Sequence, residues 1–227
     1  MQVAILQPNY IPWRGYFDII AKVDKFVFYD DAQYTKDDWR NRNRLLGPQG
    51  PFWLTIPIRT KGLLGQKINE AMIADHSWQK KHWRSIEVNY AKAPYYFEYC
   101  EDIQKLYAQK YSSLVEVNCR FIQKISSLLG LKTEFIYSSQ ISYRGTRASE
   151  KVLSICQLLQ GNVYVSGPAA KNYLNEESFA KSGIEIQFMD YSHYREYPQI
   201  VAGYSQENLS ILDLLFNCGP ESLDYLS

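Results

Sequence analysis

The chain has 227 residues, 46% of them hydrophobic and 22% charged, and its 25 basic and 24 acidic side chains leave a net charge of +1. That composition excludes a disordered chain, and the balanced charge gives no field to hold nucleic acid or an acidic membrane. No apolar run approaches the roughly 18–20 residues of a membrane span, and the stretch from Met1 to Gln7 has neither the basic start nor the cleavage pattern of a signal peptide.

Val3–Leu6 is a short apolar run that suits a buried strand, and Pro8 and Pro12 make the next stretch, Gln7–Trp13, a stiff loop. Tyr16, Phe17, Ile19, Ile20 and Val23 follow at helical spacing, and Phe26–Tyr29 reads as a second strand ending in Asp30-Asp31. Strand, loop, helix, strand is the unit of a parallel sheet. Phe52–Ile58 reads as a third strand. From about Ser77 to Gly130 helical periods dominate, with Leu114, Phe121, Ile122, Ile125 and Leu128 marking one helix. A strand over Lys132–Ser138, a helix over Ala148–Leu159 and a strand over Val163–Val165 come next. A helix capped by Asn175, a strand over Ile184–Phe188 and a last helix over Leu209–Phe216 complete the chain. The expected fold is therefore α/β, a Rossmann-like, mostly parallel sheet in one domain. Residues 1–75 and 131–227 would form its core and residues 76–130 a helical insertion.

Cys100, Cys119, Cys156 and Cys218 contain no Cys-x-x-Cys pair, which points to free thiols rather than zinc and to a cytoplasmic location. The 19 tyrosines and 5 tryptophans supply area with polar tips, which serves pockets and core packing alike.

Four groups of residues carry possible chemistry. In open α/β sheets ligands bind beyond the carboxyl ends of the strands, which is where the loop holding Gln7, Asn9, Tyr10 and Trp13 falls. The same loop also reads as a plain rigid connector. Asp30 and Asp31 end a strand, where carboxylates can take protons, and Tyr34, Arg42, Asn43 and Arg44 follow, the arginines offering planar forks for phosphate or carboxylate. The alternative is a solvated loop whose charges neutralise each other. His82 titrates near neutrality and can act as a base, but a lone histidine among Trp78 and Trp83 is as readily structural. Arg144 and Thr146, and Ser166 and Lys171 downstream, place small residues and cations between strands and helix starts, where backbone N–H groups attract anions. Neither segment is a Walker loop, and the Gly-x-Gly-x-x-Gly, Gly-x-Ser-x-Gly and His-Glu-x-x-His patterns are absent. No cofactor or metal is named by any motif.

The strings QPNYIPWRGYFDIIAKVDKFVFYDDAQYTKDDWRNRNR, KKHW, YRGTRASEKVLSICQLL, YVSGPAAKNYL and LSILDLLFNCG resemble the WbqC-like protein family over nearly the whole chain. The resemblance implies a bacterial protein encoded among O-antigen (surface polysaccharide) genes, acting as a transferase of a glycyl or other acyl group to an amino sugar. A weaker likeness links the first unit to nucleotidylyltransferases of the HIGH-motif superfamily, whose His-x-Gly-His is replaced here by Trp13-Arg14-Gly15-Tyr16.

The resulting expectation is an aminoacyl or acyl transferase. Arg42, Arg44, Arg144 and Lys171 would hold phosphates, Asp30, Asp31 or His82 would accept a proton, and Gln7, Asn9, Tyr10 and Trp13 would orient a sugar. A nucleotidylyltransferase-like enzyme with altered chemistry and a non-catalytic binding protein of the same pathway are the alternatives. The expected partner is a phosphorylated or nucleotide-linked small molecule, with no nucleic acid and no membrane span; a homo-oligomer stays open.

Overall fold

The structure, a computed structural model, describes residues 1–226. Its strands are β1 (Gln2–Leu6), β2 (Lys25–Phe28), β3 (Arg42–Gly47), β4 (Gly50–Thr55), β5 (Glu134–Tyr137), β6 (Val163–Ser166) and β7 (Glu185–Phe188). Its helices are α1 (Arg14–Ala21), α2 (Ser77–Tyr90), α3 (Tyr96–Ala108), α4 (Leu114–Leu128), α5 (Ala148–Leu158), α6 (Glu176–Lys181) and α7 (Ile211–Cys218).

The main sheet is all parallel, in the order β5-β2-β1-β6-β7. Parallel strands need crossovers that cover the sheet, so central strands are apolar on both faces. Val3, Ala4, Phe26, Val27 and Phe28 are accordingly fully buried. The chain builds outward from β1 to β2 and β5 on one side, then returns to β6 and β7 on the other. The order thus reverses at β1, and a doubly wound sheet opens a crevice beyond the carboxyl ends of the strands at that point. The fold is α/β and Rossmann-like, as the alternating pattern predicts.

One strand departs from expectation. The third strand does not join the parallel sheet: β4 pairs only with β3, antiparallel, as a separate hairpin. The Arg42–Arg44 run, for which no strand was expected, is the strand that it pairs with. The reason is visible in the period of two, which sends Asn43 and Leu45 into the core and leaves Arg42 and Arg44 on the outer face. Gly50, at φ 105°, supplies the backbone that turns the hairpin.

The segment 77–128 holds α2, α3 and α4, each burying one face. Trp78, Ile86 and Tyr90, then Tyr99 and Ile103, then Phe121, Ile122 and Ile125 join one apolar cluster with Phe17 of α1 and Phe28 of β2. Ser113 caps α4, accepting from the Glu116 backbone N–H at 3.4 Å while the Glu116 carboxylate accepts from the Ser113 N–H at 3.2 Å. A second cluster, with Val3, Ile5, Val27, Val152, Ile155 and Phe179, covers the opposite face of the sheet beneath α5 and α6. No helix among the described residues is long and apolar enough to cross a membrane.

Helix α7 is buried along its whole length and carries Asp213 inside the core. Its carboxylate accepts from the Tyr90 hydroxyl at 2.7 Å, the Tyr197 hydroxyl at 2.8 Å and the Gln199 side-chain amide at 2.5 Å. Burial raises the Asp213 pKa, and the three donors only partly offset that. A raised folded-state pKa favours the protonated form, so this group's contribution to stability is fullest below the ordinary aspartate range and declines as pH rises through the raised value. Asp213→Ala would strand three buried donors, and we expect a loss of about 3 kcal/mol in urea unfolding. A loss well under 1 kcal/mol would mean that the donors find other acceptors.

Candidate functional site

The loop leaving β1 is held from several directions. Asn43, reaching inward from β3, donates to the carbonyls of Tyr10 at 3.0 Å and Ile11 at 2.8 Å. Asn118 of α4 donates to the carbonyls of Pro8 at 2.9 Å and Arg40 at 2.8 Å. The Arg40 Nε donates to the Gln7 side-chain oxygen at 2.5 Å, and the Tyr16 hydroxyl to the Gln7 carbonyl at 3.1 Å. Between these ties Ile11 is fully buried at φ 35°, a backbone state costing a β-branched residue ~1–3 kcal/mol. Such a conformation persists only where its surroundings over-determine it. Gly15 is required for a different reason: a Cβ there would lie 2.4 Å from the Trp13 indole, which folds back over the first turn of α1.

Opposite this loop runs residues 189–210, an irregular strap between β7 and α7. Loops longer than about 15 residues are uncommon in a compact domain and are usually either functional or linker segments. The strap is pinned through its tyrosines: the Tyr194 hydroxyl donates to Asp18 of α1 at 2.7 Å, and Tyr197 donates to Asp213. Trp13 meets Tyr191 edge to face at 4.9 Å between centroids and Tyr194 at 6.0 Å. The Arg14 guanidinium lies 4.5 Å from the Tyr194 ring centroid and 5.4 Å from that of Tyr197. It donates to the Arg195 carbonyl at 2.7 Å and the Tyr225 carbonyl at 3.4 Å, and has no carboxylate partner among the described residues. Burial lowers the Arg14 pKa, the nearby tyrosines act against it, and the group stays a cation.

Loop and strap enclose a cavity of about 670 Å³ whose walls include Trp13, Arg14, Tyr191, Tyr194, Glu196 and Gln206. That is the size of a small-molecule site. A smaller space of about 60 Å³ adjoins it, sharing Trp13 and Asn208 and reaching Asn9, Trp39 and Asn43. The Asn9 Oδ1 is shielded from solvent and lacks a partner. Aromatic faces, a guanidinium without an acidic partner, carboxylates and amides therefore converge on the open edge beside the reversal point.

The residues singled out from the sequence divide between this crevice and other places. Trp13, Asn9 and Asn43 line it, with Arg44 at its rim through a bond to the Glu207 carbonyl at 3.2 Å. Arg42 lies two residues back on the same outer face of β3. Gln7 is spent on fixing the loop. Tyr10 points inward instead: its hydroxyl sits 2.9 Å from His82 Nδ1 and 2.5 Å from the Tyr107 hydroxyl, inside the core. His82 belongs to that buried triad and lines neither cavity; burial pushes its pKa down to about 4. A base with that pKa, buried and bonded to Tyr10, is a poor proton acceptor at neutral pH and stands outside the crevice. Asp30 ties β2 to the chain after β5, accepting from the Ser138 hydroxyl at 3.0 Å, the Ser139 N–H at 2.9 Å and the Ser139 hydroxyl at 2.6 Å. Asp31 accepts from Ser138 and from the Tyr143 hydroxyl at 2.5 Å, and neither aspartate lines the two cavities. Tyr34 is buried away from them, which pushes its hydroxyl up to about 12. At Arg144 and Thr146 the anion position is already filled. The Glu150 carboxylate accepts from the N–H groups of Thr146 at 2.9 Å and Arg147 at 3.1 Å. Ser166 is buried with its hydroxyl donating to Tyr164 at 3.2 Å, and Lys171 is exposed over the Phe188 ring.

Sequence reasoning missed the strap and the role of Arg14. The available signal was Tyr191, Tyr194, Tyr197 and Tyr204 crowded into a stretch with no helical or strand period directly after a sheet strand. His82 gives a pH test. Its folded pKa lies below the ordinary 6.5, so its stabilising contribution is complete above pH 6.5 and is lost as pH falls toward about 4. The expected slope in that window is about 1.4 kcal/mol per pH unit, and His82→Gln should flatten it. A ring resonance titrating near 6.5 would show that His82 is solvated after all.

The sequence matches the profile of the WbqC-like protein family over residues 7–225. It is 43% identical over 226 residues to a protein of Mycobacterium tuberculosis (strain ATCC 25618 / H37Rv) described as uncharacterized protein Rv1507c, covering 99% of this chain and 97% of that one. No solved structure gives a significant match. A match spanning the β1 loop, the hairpin, the three-helix segment and the strap takes in every part of the crevice, and the chain belongs to the WbqC-like protein family.

Proposed function

We propose that this protein is a transferase of bacterial surface polysaccharide synthesis that attaches an acyl group, glycyl among the candidates, to the amine of a sugar bound between the β1 loop and the strap. The observation that carries this reading is Arg14, a half-buried cation without an acidic partner in a crevice walled by Trp13, Tyr191 and Tyr194. Aromatic rings pack against the apolar C–H faces of a sugar, and a guanidinium with free N–H groups suits the anionic part of a phosphorylated or carboxylated substrate.

The biological setting is what resemblance to the WbqC-like family implies. The chemistry asks for a neutral amine, since an ammonium has no lone pair with which to attack. Glu196, a carboxylate in the cavity wall, takes the place first given to Asp30, Asp31 and His82 as the group that receives the proton. The amine nitrogen then forms its bond to the acyl carbon as the bond from that carbon to its leaving group breaks, and the leaving group departs with its electron pair. The fixed loop supports this reading, because positioning a nucleophile is worth most where the wall does not have to be ordered on binding.

Calorimetric titration with a panel of nucleotide-linked amino sugars tests the proposal. We expect binding that Trp13→Ala and Arg14→Gln each weaken about tenfold or more, corresponding to one charged hydrogen bond or one stacked face. Circular dichroism spectra matching the parent would show that both variants fold. No binding across the panel, or binding indifferent to both changes, would overturn it.

A further inference from the structure

We propose that the outer face of the β3–β4 hairpin is a binding subsite for a diphosphate group. The inference deepens the reading above by giving the phosphorylated end of a substrate its own place, and it rests on that reading only for what the diphosphate is attached to.

Arg42 and Arg44 stand two apart on β3 and so share a face, and Trp53 is the cross-strand partner of Arg44. The Arg42 guanidinium lies 4.3 Å from the Trp53 ring centroid and that of Arg44 lies 5.5 Å from it and 5.8 Å from Trp39. The two indoles lie 5.3 Å apart, and Trp53 is 44% exposed. Neither arginine has a carboxylate partner among the described residues, the nearby Asp38 being taken by Arg40. The Nε of each is shielded from solvent with no acceptor. Neither charge is neutralised, and the Arg42 guanidinium makes no hydrogen bond among the described residues, so the pair keeps charge and donors to offer an anionic oxygen. Stacking on indoles holds both forks in fixed planes and thins their hydration, which suits bidentate phosphate oxygens rather than a lysine-like point contact. The bond from Arg44 to Glu207 puts this face at the rim of the crevice, within one extended ligand's reach.

Inorganic diphosphate is the probe, titrated by calorimetry with tryptophan fluorescence as a second readout. We expect saturable binding, a fluorescence change from Trp53, a loss of about tenfold in affinity for Arg42→Gln and a larger loss for Arg42→Gln with Arg44→Gln. Arg44→Gln also removes the bond to Glu207, so Arg42→Gln, whose guanidinium makes no hydrogen bond within the protein, is the deciding variant. Lys181→Gln removes one positive charge on α6 and should leave the affinity unchanged. Absence of binding, full affinity in Arg42→Gln, or an equal loss in Lys181→Gln would each overturn the proposal. The probe carries no sugar, so its failure would leave the carbohydrate reading of the crevice standing, and the failure of that reading would leave this subsite standing.

Discussion

The interaction on which the rest of this molecule depends is the pair of hydrogen bonds from the Asn43 amide to the carbonyls of Tyr10 and Ile11. Those carbonyls belong to a loop that prolines and a left-handed isoleucine keep out of regular structure, so no helix or ladder can satisfy them. Asn43 answers from a neighbouring element, and its own Oδ1 accepts the Arg44 N–H at 2.7 Å. One side chain thereby fixes the loop after β1, sets the position of the hairpin against it, and decides that Arg42 and Arg44 face outward. The walls of the crevice follow from that clamp, with Asn118 repeating the arrangement one turn of loop earlier.

The opposite wall is organised by buried carboxylates. Asp213 accepts from tyrosine and amide donors and no cation, and Asp18 accepts from the Tyr194 hydroxyl and pairs with Lys22. A carboxylate in the interior is costly without several donors, and three of these donors, Tyr194, Tyr197 and Gln199, come from the strap. The same chemistry recurs at buried Asp30 with two serines. At Asp30 an acid that the sequence presents as a candidate proton acceptor is consumed in tying β2 to the chain after β5.

That recurrence explains what was legible. The parallel sheet could be read from β1, α1 and β2 because period and proline placement are local properties. The switch-point loop could be placed because position after a central strand is set by topology. The hairpin was half legible: the alternation in Arg42-Asn43-Arg44-Leu45 is strand-like, but charge at alternate positions resembles a solvated loop until Trp53 is known to lie across from it. His82 and Tyr10 misled because a polar group's partner, 72 residues away, decides whether it is buried or poised. The strap was illegible as a wall, since its structure comes from long-range ties and not from any period of its own.

The two walls of the crevice differ in how they are held, and this bears on how the site exchanges with solvent. The β1 loop is bonded through its backbone to buried side chains, so it can open only with the core. The strap is tacked at intervals by single side-chain bonds, with Gln206 and Tyr197 tied to one another across its span. Between its buried anchors Met189, Tyr197 and Leu209 the strap is mostly exposed, which makes those stretches the lower-energy part of the wall for local unfolding. Loosening of the crevice is thereby confined to one wall, while the other stays a fixed template.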